Sequence, residues 1–80
     1  MSNQQTGSPM QARELLDLYY LDMRSALLEL AAGLDRIQRA SGSEQAVADD
    51  RFQVLIEGCK LVATDEGDRA LRFQKYLSAE

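Results

Sequence analysis

The sequence predicts an all-α fold, a three-helix bundle with one long N-terminal helix and two shorter helices folded back against it. Three observations lead there. Apolar residues recur at spacings of three and four through most of the chain, residues that start and stop helices separate these blocks, and Val, Ile and Thr never alternate with polar residues over a useful length.

The long helix is the strongest pattern. Leu16, Tyr20, Met23, Leu27, Leu30, Leu34 and Ile37 follow one another at spacings of four and three, which holds them on one stripe of an α-helix. Leu21 and Leu28 lie beside the stripe and widen it beyond the narrow seam of a two-stranded coiled coil, so more than one neighbour is expected. Ser8 and Pro9 form a start signal: the hydroxyl accepts from an orphan backbone N–H, and proline at the first helical position loses nothing by lacking its own. The helix is expected from Pro9 to Ala40, where Ser41, Gly42 and Ser43 stop it. Gly33 inside it costs about 1 kcal/mol relative to alanine and marks a possible bend. Tyr19, Ala26 and Gly33 share a strip that narrows toward its C-terminal end, where another helix has room to approach.

The second helix is expected from Val47 to Ala63, with Asp49 or Asp50 as its cap and Phe52, Leu55, Ile56, Cys59, Val62 and Ala63 on its apolar side. The third is expected from Asp65 to Leu77, with Ala70, Leu71, Phe73 and Leu77 turned inward. Its outer face is expected to carry the i, i+4 pairs of Asp65 with Arg69 and Asp68 with Arg72. The two short helices together match the first in length, so they can run back along it. Residues 1–8 are expected to form a flexible tail, because Ser2 to Gly7 are too polar to offset the entropy of ordering them, and 9–80 a single helical domain.

Composition narrows the function. Nine basic against thirteen acidic residues give a net charge of -4, a field that repels nucleic acid and anionic lipid surfaces. No stretch approaches the roughly twenty apolar residues that span a bilayer, and the N-terminal residues carry no targeting signal. Cys59 is the only cysteine and histidine is absent, which removes an intramolecular disulfide, the usual zinc constellations and the commonest general base. A reducing cytoplasm is the expected location, with no nucleic acid, membrane, metal or cofactor as partner.

Chemistry would have to come from carboxylates. Asp22, Glu29 and Arg36 recur every seven residues beside the apolar stripe, where charges flank helix interfaces and help to choose partner and register. A di-iron carboxylate site fails for want of Glu-x-x-His. Glycine-rich phosphate loops are missing, and a DNA-reading helix would present acidic Asp65, Glu66 and Asp68 where phosphate contacts are needed. Cys59 has only Lys60 as a positive neighbour, about 100° away around the helix, so a core role is expected.

The expected function is therefore a non-enzymatic helical module for protein–protein interaction, either with a partner protein or as a homo-oligomer. Its interface is expected at Tyr19, Tyr20, Met23, Leu27 and Leu30. The alternative is a small-ligand-binding protein or small enzyme using Asp22, Asp35 and Arg36 with a tyrosine in an oligomer cleft.

Overall fold

A computed structural model describes residues 10–79, and they are all-α: α1 is Ala12–Arg39, α2 Ser43–Val47, α3 Asp50–Val62 and α4 Arg69–Ser78. The chain divides into two units, one ending at Asp35 and the other beginning at Arg36. The expected tail, Ser8 and Pro9 lie outside the described residues. Among those described, no helix is long and apolar enough to cross a membrane.

The first unit is the body of α1. Its start is fixed at Gln11, whose backbone N–H donates to Glu14 Oε1 at 2.7 Å, the acidic half of a capping box. Gly33 does not end or break the helix, and a Cβ placed there would meet nothing within 4 Å. None of the residues in α1 is buried.

The second unit begins with the last turn of α1 and a reversal through Gly42. That glycine sits at φ 82°, a left-handed conformation that side-chain-bearing residues adopt at a cost. The stop signal is thus where the sequence places it, but it leads into the short α2, which periodicity did not reveal. Five residues are too few to show a helical period. The second expected helix starts later than Val47 because Asp49 is extended and caps α3: its carboxylate accepts the Arg51 backbone N–H at 2.8 Å.

Phe52 and Gly58 of α3 are the buried residues of this unit, with Ile56 and Cys59 half-buried. Leu55 and Val62, expected on the apolar side, are exposed. Gly58 lets α4 come close: a Cβ there would lie 3.0 Å from Phe73 Cε1 and 3.1 Å from Cζ. Phe73 also stacks on Tyr76, with ring centroids 6.2 Å apart and planes 13° from parallel.

The loop between α3 and α4 corrects the expected third helix. The helix begins at Arg69 rather than Asp65, since Asp68 takes a left-handed conformation (φ 57°) and gives no side-chain cap. The arginines do not pair with Asp65 and Asp68 across an outer face. Arg69 Nε donates to the carbonyls of Val62 and Thr64, each at 2.9 Å, and its Nη2 also donates to the Thr64 carbonyl. Arg72 donates to the Gly67 carbonyl at 3.0 Å, the Glu66 carbonyl at 3.2 Å and Thr64 Oγ1 at 3.0 Å, and pairs with the Glu66 carboxylate at 3.3 Å. A helix C-terminus leaves carbonyls without intrahelical partners, and a guanidinium with five donors satisfies several at once. That competition wins over two solvent-exposed i, i+4 pairs worth a few tenths of a kcal/mol each.

Two outcomes follow. Gly58→Val drives a branched side chain into the Phe73 ring and lowers stability by about 1–3 kcal/mol, measured by urea titration of helicity. Arg72→Ala releases the Thr64–Asp68 loop and speeds amide exchange in that segment and at the start of α4, whereas Arg72→Lys restores little because an ammonium cannot fork across several carbonyls.

Candidate functional site

Every residue expected at an interface lies on α1, and the structure leaves most of them open to solvent. Tyr19, Tyr20, Met23 and Leu27 are 51%, 53%, 50% and 64% exposed, and Leu30 is half-buried. Neither adjacent tyrosine is turned into a core. Leu16, at the start of the stripe, is exposed as well, while Leu34 and Ile37 at its far end are half-buried. The uncovered part of the stripe is therefore its N-terminal half, from Leu16 to Leu27.

Sequence reasoning missed a second row on the other side of the same helix. Leu18, Leu21, Ser25, Leu28 and Ala32 are spaced three, four, three and four apart, and their leucines are exposed too, as is Leu15. The spacing was the available signal, but the dominant stripe had absorbed Leu21 and Leu28 as its margin. From Leu15 to Leu28 the helix is apolar around much of its circumference, interrupted by Asp17, Asp22 and Arg24.

The polar alternative is spread along α1. Asp22 and Asp35 are thirteen residues apart, roughly 20 Å along the axis, and Arg36 follows Asp35 directly. One helix alone does not bring these three side chains around a small molecule. Among the described residues no group of three or more His, Cys, Asp or Glu is arranged to hold a metal ion. Cys59 is a free, half-buried thiol, and the ammonium of neighbouring Lys60 is engaged with Glu57 Oε2 at 3.1 Å.

The second unit contains an open concavity of about 370 Å³ lined by Ile37, Ala46, Phe52 and Leu55, with Asp49 and Arg51 at its polar edge. None of Asp22, Asp35 and Arg36 lines it. The two edge residues satisfy each other: Arg51 Nε and Nη2 donate to Asp49 Oδ1 and Oδ2 at 3.0 and 3.1 Å. These bonds, with the Arg51 backbone N–H, hold the Asp49 carboxyl down from its ordinary 3.8 to about 2. The arrangement is a reinforced helix cap, in which one arginine secures the carboxylate that caps its own helix. It leaves neither a carboxyl poised for proton transfer near neutrality nor a guanidinium free for an anion.

Comparison with protein-family models, with curated proteins and with solved structures finds no match.

The cap has a pH signature. A carboxyl held below its ordinary value stabilises the folded state above about pH 4, and that contribution disappears as pH falls through about 2. Asparagine keeps the cap but not the charge, so thermal melts of the parent chain and Asp49→Asn should differ most above pH 4. The gap should close between pH 4 and 2; a constant gap across that range would assign the effect to something other than this carboxylate.

Proposed function

We propose that the chain is a non-enzymatic helical interaction module that associates with a second copy of itself through the apolar face of α1. The observation that carries this reading is the imbalance of burial. Phe52 is the buried large apolar residue among those described, whereas nine large apolar side chains from Leu15 to Leu28 are exposed on one helix.

The magnitudes favour association over a solvated helix. A helix with no tertiary contacts gains little from propensity, and most helical stability in proteins comes from burying an apolar face. Fully burying one leucine contributes roughly 1.5–3 kcal/mol. The nine side chains together expose on the order of 1,000 Å², divided between the stripe and the row on the other side of the helix, so a partner on the stripe alone covers about half of it, against roughly 800 Å² per partner in a standard interface. Apolar surface of that extent around one helix exceeds the few hundred Å² that monomers ordinarily leave open.

On this reading the bundle called for by the sequence is assembled between chains, with α1 of each as its long member, and 9–80 works as one domain. Tyr19, Tyr20, Met23, Leu27 and Leu30 are the contact residues. Asp22, Glu29 and Arg36 stand farther round the helix as solvated charges. The acidic net charge suits a protein partner better than a nucleic acid or an anionic membrane, and a reducing cytoplasm suits a chain with a single free thiol.

Light scattering over a concentration series from low micromolar upward is expected to give a mass above that of one chain. Leu27→Glu, which keeps a good helix former but places a charge in the stripe, is expected to raise the dissociation constant at least tenfold. A single-chain mass at every concentration would sink the reading.

A further inference from the structure

Two apolar helices can pair in parallel or antiparallel, and each choice has several registers; the charges and side-chain sizes along α1 favour one of them. We infer that two copies pair through antiparallel α1 helices centred between Leu21 and Asp22, with Asp17 of each chain beside Arg24 of the other and Tyr19 of each over Ala26 of the other. This rests on the self-association proposed above and adds its geometry.

The stripe sets the frame. In an antiparallel pair each position reached after a four-residue step faces one reached after a three-residue step, and the residues flanking the stripe meet their own kind from the other chain. With the centre between Leu21 and Asp22, Tyr20 faces Met23 and Leu16 faces Leu27, each twice by symmetry. On one flank Asp17 meets Arg24 twice, giving two ion pairs. On the other flank Tyr19 meets Ala26 twice, so a large ring lies over a methyl group where two bulky residues would collide. Asp17 and Arg24 make no ion pair or hydrogen bond among the described residues, and seven residues along one helix put them roughly 10 Å apart.

Neighbouring registers are opposed by the same charges. Moving the centre half a heptad toward the N-terminus sets Asp17 against Asp17, and half a heptad toward the C-terminus sets Arg24 against Arg24. A full heptad toward the C-terminus brings no charged flank together and uses Leu34 and Ile37, which are already half-buried, while Leu16 stays uncovered. A parallel in-register pair stacks Arg13 on Arg13 and makes no ion pair across the flanks. The antiparallel register centred at Leu21 and Asp22 spans 13–30 and covers the exposed portion of the stripe from Leu16 to Leu27, with Arg13 of each chain facing the half-buried Leu30 of the other at its two ends. It also sets opposite ends of the two helix dipoles side by side.

The experiment uses the full chain with Cys59→Ser. Chains carrying Leu16→Cys and differently tagged chains carrying Leu27→Cys are mixed and oxidised, and a disulfide between the two kinds is expected to dominate. In parallel, sedimentation measures the dimer constant for Asp17→Arg, expected to weaken about tenfold, and for Asp17→Arg with Arg24→Asp, expected to return to near the parent value. Circular dichroism at matched concentrations confirms that α1 stays helical. Leu27→Cys chains that link to one another, or to Leu30→Cys chains in preference to Leu16→Cys, would overturn the register while leaving self-association standing, as would a dimer indifferent to both charge reversals. A chain that is monomeric throughout overturns both.

Discussion

The rest of the molecule depends on where the apolar surface of α1 goes. An 80-residue chain has little margin: small domains bury a modest fraction of their surface, and the conformational entropy of ordering each residue must be offset by burial. Here the largest block of leucine and aromatic side chains sits on one continuous helix, and none of it is buried. The charges that interrupt this face are few and fixed in position. Under the proposed self-association this surface is covered by a second copy, and the charges along it set the orientation.

The second unit shows how a short chain holds itself together with little core. Its interior is Phe52 and the contact between Gly58 and the Phe73 ring, in which a missing side chain on α3 admits an aromatic from α4. The polar groups left over at the turn are collected by Arg69 and Arg72, which reach back to carbonyls from Val62 to Gly67. Asp49 and Arg51 do the equivalent at the start of α3. Backbone satisfaction by arginine thus takes over part of the role that apolar packing plays in larger domains. Four charged residues of this unit, Asp49, Arg51, Arg69 and Arg72, are thereby engaged with the backbone or with each other.

Much of this was legible from residues alone. The 4-3 spacing from Leu16 to Ile37 determined α1 and its stripe; the Asp49–Asp50 pair marked the cap of α3, with the structure choosing Asp49; Ser41, Gly42 and Ser43 determined the stop, because left-handed backbone at one point requires glycine. These features are local, each set by residues within a turn or two of one another. The interface residues were nominated on the same local basis, and Leu15 and Leu18 escaped because a dominant period masks a weaker one beside it.

What tertiary structure decided were the choices between competing local possibilities. Asp65 and Arg69 stand at ideal helical spacing, yet a helix begins only after Asp68, because the carbonyls at the end of α3 offer both arginines more bonds than two surface carboxylates do. Gly58 gives no signal in the spacing of apolar residues and is in space the place where α4 enters. Tyr20 reads as part of the apolar stripe and Tyr19 as part of the strip beside it, and both are exposed. Periodicity tells which side of a helix is apolar; whether that side is covered depends on contacts between residues far apart in the chain, and those exist only once the helices have taken their places.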